Sequence, residues 1–427
     1  MILLALLMLF TACFAQESDE GVEGFVIRDI EIIGNNHTKE WVIRRELHFE
    51  VGDRILFDDM EAARNRLLNL QIFNNVFIEG DDEGTVTVEV SEQFQYIPLA
   101  GLSATDGRTQ DAFTDLNKFF DIMTATVGFA DLNHRGHGGI ASGSFRFGAS
   151  TGFALTYSTR WLSPKLPIRF KTGLRTLLVS DKHASVLDTT RRLRDQQAFV
   201  LFGTREGAKK RLGAQLMFQR IVRKTPQPTE RRQYRTFWVS PFAILDRRNL
   251  EWYPSTGFLA KVSGDAVTGD TPFVRSQYMI ADYLPLVDKH RPPVVALRLA
   301  GATTTASTPD WAHYYFGFSS LLRGYSSIKS EASTYLLGDV ELRIPVSRER
   351  LYNIPILKSY GHNIPFWWGL VFFGERAQLQ LHGTRQETWA AGAGIHVRVP
   401  WVQIVELVWA YNNESDHDVV IQSGVLF

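Results

Sequence analysis

Two short motifs contain residue types that catalysis or metal binding uses. The segment Gly148 to Gly152 matches the Gly-x-Ser-x-Gly motif that presents a serine nucleophile in hydrolases. That motif lies between a strand and a helix, whereas both flanks here alternate in polarity like strands, so we predict a hairpin turn. His134 and His137 are three residues apart, as in some metal sites, but they lie in a glycine-rich turn without a further histidine pattern. We therefore predict a structural role for both.

The rest of the composition also argues against an enzyme with a bound cofactor. We find no phosphate-binding loop and no paired catalytic carboxylates in a convincing context. The single cysteine, Cys13, excludes a disulfide framework and a cysteine-based metal site. The 427 residues carry 46 Lys plus Arg and 46 Asp plus Glu, and this balance argues against a general nucleic-acid binder. Hydrophobic residues make up 44%, which is enough for a large folded body.

Residues 1–15 are predicted to be a secretory signal peptide. An apolar block is followed by small residues at Cys13 and Ala15, and the chain then becomes strongly polar. An acylated Cys13, as in a lipoprotein, is the alternative. After residue 15 there is no run of ~18 apolar residues, so a bundle of membrane-spanning helices is excluded, while a soluble periplasmic protein and a membrane β-barrel remain open.

Residues 25–92 have the pattern of a small α/β domain. An alternating strand near Phe25 to Ile33 is followed by two helical patterns, one from Thr38 to Glu46 and one from about Asp58 to Leu70. Two short strands separated by an acidic turn complete the segment. The predicted order is β-α-α-β-β.

Residues 96–427 alternate in polarity instead. Between Ile168 and Thr176, for example, one face is mainly apolar while the other carries Arg169, Lys171 and Arg175. Unpaired cations would be costly in the core of a soluble sandwich, but they suit the polar lumen of a membrane barrel. A β-sandwich with one wet face is the alternative. We predict about sixteen antiparallel strands, an even number as in bacterial single-chain barrels. The segment 303–333 has no clear strand pattern and is the longest interruption.

Several motifs resemble those of the superfamily of outer-membrane assembly and translocation barrels of the BamA and TamA type. Residues 25–92 resemble one polypeptide-transport-associated (POTRA) domain, and residues 96–427 resemble the surface-antigen-like barrel. The motifs that carry the resemblance include Ile30-x-Ile32-x-Gly34-Asn35, Asp131 to Gly138, Asp246 to Asn249, Tyr253 to Gly257 and Leu321 to Tyr325.

The resemblance implies a contact that holds the long loop inside the barrel. Arg323, Gly324 and Tyr325 match the tip of the family's sixth extracellular loop, whose arginine contacts acidic groups on neighbouring strands. Gly338, Asp339, Glu341, Arg343 and Pro345 match the family's Glu-x-Arg-x-Pro strand, so Glu341 is the expected partner of Arg323, and Asp339 belongs to the same motif. Glu375 is a further candidate, although it stands where the family has an aspartate. The expected contact is charge-assisted and holds the loop tip.

The resemblance also implies a non-enzymatic insertase or translocase in a Gram-negative-type outer membrane. The POTRA domain would face the periplasm and bind unfolded outer-membrane or secreted polypeptides, with periplasmic accessory proteins and outer-membrane lipid as further partners and no nucleic acid. Client strands would pair at a seam between residues 96–104 and 417–427, where Val425 and Phe427 form part of the terminal strand. The alternatives are a secretion pore for one dedicated partner, as in two-partner secretion, and a passive porin.

Overall fold

The computed structural model describes residues 24–104, 123–163, 165–180, 192–204, 209–224, 233–289, 291–317, 322–325, 328–399, 403–414 and 417–423. The predicted signal peptide with Cys13, the motif residue Leu321, and the terminal residues Val425 and Phe427 lie outside these ranges.

The N-terminal module is a three-stranded sheet with two helices, and the predicted β-α-α-β-β order is confirmed. The sheet order is β2-β5-β4, with β2 parallel and β4 antiparallel to β5. Two further strands of two residues each, β1 and β3, pair with one another. The elements are β1 (Phe25–Val26), β2 (Asp29–Ile33), α1 (Glu40–Leu47), β3 (Arg54–Ile55), α2 (Phe57–Leu68), β4 (Phe73–Gly80) and β5 (Thr85–Glu92).

Both helices of the module bury one apolar face against the sheet. At the start of α2, the carboxylate of Asp59 accepts a hydrogen bond from the backbone N–H of Leu56 (2.9 Å) and so satisfies a free donor. The apolar positions recur at three- and four-residue spacing, as expected for a helix on a core. The buried helical residues are Val42, Ile43, Glu46, Leu47, Met60, Ala63, Leu67 and Leu68. Within the described ranges, none of the helices has the length and hydropathy needed to cross a membrane.

Seventeen of the remaining described strands form a closed antiparallel barrel in which β24 lies next to β6. We call the end beside the N-terminal module the module end and the opposite end the far end. The barrel strands are β6 (Tyr96–Ala104), β7 (Met123–His134), β8 (Gly139–Gly148), β9 (Thr151–Thr159), β10 (Ile168–Ser180), β11 (Arg192–Thr204), β12 (Lys210–Lys224), β13 (Gln233–Asp246), β14 (Gly257–Gly269), β15 (Phe273–Pro285), β16 (Val294–Thr304), β19 (Thr334–Pro345), β20 (Arg350–Tyr352), β21 (Ile364–Leu381), β22 (Thr384–Val399), β23 (Gln403–Asn412) and β24 (His417–Ser423).

The predicted strand pattern is confirmed, with one addition. All sixteen predicted segments correspond to strands, with ends that differ by a few residues. The extra strand, β20, has three residues and pairs only with the start of β21, whereas β19 pairs with the rest of β21. A three-residue exposed strand has too few positions to show alternation, which is why the sequence did not reveal it.

The outer face of the barrel wall is mainly apolar and the inner face carries charged residues, as the sequence alternation predicted. On β10, Leu174 is exposed on the outside, while Arg175 points into the lumen and its Nη2 lies 2.7 Å from Oδ2 of Asp195 on β11. Lys171 lies on the same inward face of β10 as Arg175, and its Nζ is 6.0 Å from the centre of the Phe199 ring. Cations on this strand are therefore met by polar and aromatic groups of the lumen.

The N-terminal module docks directly onto the turns at the module end of the barrel. The ring of Trp41 lies edge-on to Trp161 with centroids 6.4 Å apart, and the guanidinium of Arg45 lies 4.2 Å from the centre of the Trp161 ring. Hydrogen bonds join the module to several separate barrel segments, among them Asn133 Nδ2 to Thr38 Oγ1 (2.9 Å), Arg160 Nη2 to Leu70 O (2.9 Å), Glu251 N to Asn69 Oδ1 (2.8 Å) and Asn74 Nδ2 to Tyr360 O (2.9 Å).

Candidate functional site

We call the segment between β16 and β19, residues 305–333, the lumenal loop, and its described parts, residues 305–317, 322–325 and 328–333, lie inside the barrel. It contains a short hairpin of β17 (Tyr314–Gly317) and β18 (Ile328–Ala332), although the sequence showed no clear strand pattern there. Tyr314, Phe316 and Leu322 pack against the inner faces of β19 and β21. Apolar burial thus accounts for part of the attachment of the loop.

At the tip of the lumenal loop, Arg323 is surrounded by three glutamates from three strands. Its Nε lies 2.5 Å from Oε1 of Glu375, and its backbone N–H donates to Oε2 of the same residue (2.9 Å). Its Nη1 lies 3.2 Å from Oε2 of Glu341 and 3.1 Å from Oε1 of Glu406. Its guanidinium carbon lies 3.5 Å from the centre of the Phe373 ring. Arg323 is 1% exposed, so these contacts replace its hydration.

Strand geometry explains why the three glutamates converge. Inward positions alternate with outward ones, so Glu341 on β19 and Glu375 on β21 point into the lumen, whereas Val340 is exposed on the outside. Glu406 occupies an inward position of β23, and its register partner on β22 is His396. The structure thus brings together the two predicted glutamates and a third, Glu406. In the sequence, Glu406 was recognisable as an acid at an inward-facing position among apolar neighbours. Strand alternation alone does not identify its partner.

A second arginine and a histidine extend the buried cluster toward the module end. Nε of Arg343 lies 2.6 Å from Oε1 of Glu341, and Nε2 of His396 lies 2.8 Å from Oε2 of Glu406. The hydroxyl of Tyr253, in the turn after β13, lies 3.2 Å from Nδ1 of His396. Burial raises the pKa of Tyr253 to about 12, so its phenol stays protonated and can donate to Nδ1. Nε2–H is then available to donate to Glu406.

The two residues after Arg323 fit the wall closely. Gly324 has φ +79°, and a Cβ there would lie 2.8 Å from Cβ of Ala410, so the position requires glycine on two grounds. Nδ2 of Asn412 donates to the carbonyl of Gly324 (2.5 Å). The hydroxyl of Tyr325 lies 2.5 Å from Oδ1 of Asn413 and also contacts Oγ1 of Thr388.

Asp339 differs from the other motif residues in its contacts. Its Oδ2 contacts Nε of Arg298 on the neighbouring strand β16, and it lies two residues before Glu341 on the same face of β19. In register it stands opposite Glu375. The structure thus places it beside the Arg323 cluster with Arg298 as its direct partner.

The lumenal loop has a second attachment on another part of the wall. Trp311 packs against Trp238 and Phe273, with ring centroids 6.4 and 6.0 Å apart. Asp310 contacts Nη2 of Arg223, and Nη1 of Arg275 donates to the carbonyl of Ala312 (2.9 Å). The loop therefore connects the wall of β12, β13 and β15 to the wall of β19, β21 and β23.

The other sequence candidates occupy structural positions. Ser150 lies in the tight turn between β8 and β9, where no helix follows, so the segment lacks the strand–turn–helix context of a hydrolase elbow. Nδ1 of His134 lies 2.8 Å from Oδ2 of Asp131, and His137 packs edge-on to Trp41 instead. The two histidines thus serve different contacts.

Comparisons with known proteins agree with this architecture. Residues 25–93 match the POTRA family model, described as surface antigen variable number repeat, and residues 133–422 match the Omp85 superfamily domain. Among curated proteins, no sequence matches the chain at a significant level.

Solved structures share the fold at low sequence identity. BamA from Haemophilus ducreyi lacking POTRA domains 1–3 has a TM-score of 0.53 at 15% identity, over 94% of this chain and 83% of that one. CdiB from Acinetobacter baumannii has a TM-score of 0.52 at 11% identity, over 93% and 72%. CdiB from Escherichia coli has a TM-score of 0.51 at 10% identity, over 95% and 91%.

Proposed function

The chain belongs to the Omp85 superfamily, and on that premise we propose that it binds unfolded polypeptides through its POTRA domain and inserts them into, or passes them across, the outer membrane. It is an outer-membrane β-barrel of the insertase and translocase kind, with its POTRA domain in the periplasm. The module end is therefore periplasmic, and the far end is extracellular.

The observation that carries this proposal is the double attachment of the lumenal loop above a docked POTRA domain. A passive porin needs an open aqueous lumen, whereas here the loop joins two walls of the barrel through Arg323 and Trp311. The POTRA domain also lies against the periplasmic turns. Such an arrangement suits a protein that opens when a client engages it.

We propose that β2 is the POTRA edge that receives the client. The sheet has two edges, β2 and β4. At the β4 edge, the Nε of Arg64 donates to the carbonyl of Val76 (2.8 Å), and the neighbouring Asn74 is held by the barrel. On β2, the side chains of Glu31 and Ile33 are exposed, and Nη2 of Arg44 donates to the carbonyl of Ile30 at a longer distance (3.3 Å). A client strand added at β2 would be held by backbone hydrogen bonds, which do not depend on client sequence.

At the barrel, β6 and β24 form the proposed seam, where a client strand would pair. Arg323 with Gly324, Tyr325, Glu341 and Glu375 would hold the loop tip, and Asp339 would support it through the adjacent pair with Arg298. Val425 and Phe427, beyond the described part of β24, are proposed to continue that strand.

A secretion pore for one dedicated partner is the second candidate. Release of the lumenal loop from the Arg323 cluster would open a route through the barrel, which a secreted chain requires and a seam-inserted client does not. The two candidates therefore differ in whether a mobile loop is essential.

Deleting residues 25–92 and measuring the assembly of other outer-membrane proteins tests the main proposal. We expect their folded, heat-modifiable forms to decline while the truncated barrel itself still folds. Unchanged assembly together with loss of one secreted protein would instead support the second candidate. A disulfide engineered between the loop and the wall separates the two further, because only secretion through the lumen should stop.

A further inference from the structure

Three arginines lie close together on the outer face of the barrel near its extracellular end. They are Arg194 on β11, Arg220 on β12 and Arg235 on β13, three consecutive strands. Arg220 and Arg235 are direct register partners, and Arg194 lies one row farther along, opposite Val222. Arg194 and Arg235 are exposed.

The alternation of inward and outward side chains along each strand places these arginines on the face that contacts lipid. Phe218 and Phe237 are register partners two residues below Arg220 and Arg235, and both rings are exposed on the outside. Two residues of strand advance the wall by about 7 Å, so the arginines lie one pleat beyond the exposed aromatic row. That level is the boundary between the acyl chains and the head groups.

Among the described residues, the side-chain partners of Arg220 are uncharged. Nη2 of Arg220 donates to Oε1 of Gln233 (2.9 Å), and its Nη1 donates to Oε1 of Gln196 (3.4 Å), so both of its partners are neutral amides. Among the residues that the structure describes, no carboxylate forms an ion pair with Arg194, Arg220 or Arg235.

Like charges directly opposite one another destabilise a sheet, so the Arg220–Arg235 pair is unfavourable unless an anion lies between the two guanidiniums. Another outward arginine of the barrel shows the usual solution: Nη2 of Arg376 on β21 lies 2.5 Å from Oε2 of Glu387. In the β11–β13 patch the described residues form no such ion pair, and the nearby carboxylate of Asp270 accepts a hydrogen bond from the backbone N–H of Arg235 (2.8 Å).

We propose that Arg194, Arg220 and Arg235 bind the phosphate groups of a phosphorylated lipid in the outer leaflet. Guanidinium groups bind phosphate through paired, charge-assisted hydrogen bonds. The exposed rings of Phe218 and Phe237 would contact the acyl chains of the same lipid. The proposal of this lipid site rests on the outer-membrane location of the barrel and not on which client the protein handles.

Binding of lipid A, a diphosphorylated glycolipid, to the full-length protein in neutral detergent tests the proposal. The double variant Arg220→Gln/Arg235→Gln should bind it about 25-fold more weakly, about fivefold for each arginine. The single variant Arg194→Gln should lose about fivefold and covers the case in which the double variant does not fold. Heat-modifiable migration verifies folding, and Arg376→Gln, an outward arginine with its own carboxylate, is the matched control and should bind normally.

Two further binding measurements identify the chemical group that the arginines recognise. The same glycolipid without phosphates should bind no better to the native protein than to the double variant, and millimolar inorganic phosphate should not displace lipid A. Equal binding of the phosphate-free lipid, equal losses in Arg376→Gln, or full displacement by inorganic phosphate would each overturn the proposal. None of these outcomes bears on the deletion of residues 25–92, so the two proposals fail separately.

Discussion

Replacing Arg323 with Ala should release the tip of the lumenal loop while the barrel remains folded. The side chain is 1% exposed and contacts Glu341, Glu375 and Glu406, whose side chains are fully buried. Removing the cation leaves three buried carboxylates, of which Glu341 keeps its contact with Arg343 and Glu406 keeps its contact with His396. Removing one partner of a buried ion pair costs about 3–5 kcal/mol. This cost falls on the contacts of the loop, because the strand ladders of the wall are unchanged.

Limited proteolysis of the protein in detergent micelles measures this release directly. In the native protein, residues 322–325 are buried and should resist cleavage, whereas the variant should be cut in the loop more than 100-fold faster, as a loss of about 3 kcal/mol implies. The temperature at which the folded band is lost on gels should fall much less. Arg323→Lys keeps the charge but lacks the planar fork, so its protection should be intermediate.

The matched control is Arg376→Ala. This arginine forms an ion pair with Glu387 at 2.5 Å, but its side chain is 67% exposed, and such surface pairs contribute about 0–1 kcal/mol. Its loop protection should equal that of the native protein. Native protection of the loop in Arg323→Ala, or a loss of protection in Arg376→Ala as large as in Arg323→Ala, would show that the buried contacts of Arg323 do not hold the loop.

Three further predictions concern neighbouring contacts. Gly324→Ala should expose the loop to protease about tenfold or more, because of its positive φ and the 2.8 Å approach to Ala410, and a proteolysis time course checks this. Trp41→Ala should loosen the POTRA domain from the barrel by about 1–3 kcal/mol, since it removes the contact with Trp161, and crosslinking between Thr38 and Asn133 positions should then weaken. Burial raises the pKa of Glu251 above its ordinary value of 4.5, so the folded protein binds more protons at this site than the unfolded chain, and its stability should fall as pH rises through the raised pKa. Glu251→Gln should remove that pH dependence from thermal unfolding followed by heat-modifiable migration.

The barrel was predictable from the sequence because alternation is a local signal. The parity that set Arg169, Lys171 and Arg175 against apolar neighbours also fixed the direction of Glu341 and Glu375. A one-residue shift of register would have placed these charges in lipid, so each strand had one acceptable arrangement. The helices of the POTRA domain were predictable for the same reason, because their apolar residues recur locally at three- and four-residue spacing.

What the sequence did not reveal depends on contacts between distant segments. Glu406 joins Arg323 from 83 positions away, and its strand showed only one inward acid among apolar residues. Trp311 lies in a segment without strand alternation, and its partners Trp238 and Phe273 belong to different strands. The docking of Trp41 on Trp161 likewise depends on the path of two turns. Such contacts are set by the closed topology and have no local signature.

The position of the lumenal loop divides the barrel into two unequal parts. Its described attachments form a chord from β12, β13 and β15 to β19, β21 and β23, and these contacts lie away from the arc of β6 to β10. An outward swing of this arc would separate β6 from β24 and leave the Arg323 and Trp311 contacts of the loop in place. The POTRA domain touches both parts, through Asn133 and Arg160 on the arc and Tyr360 on the chord side. We propose that the domain holds the two parts together, so that undocking it would free the arc to hinge.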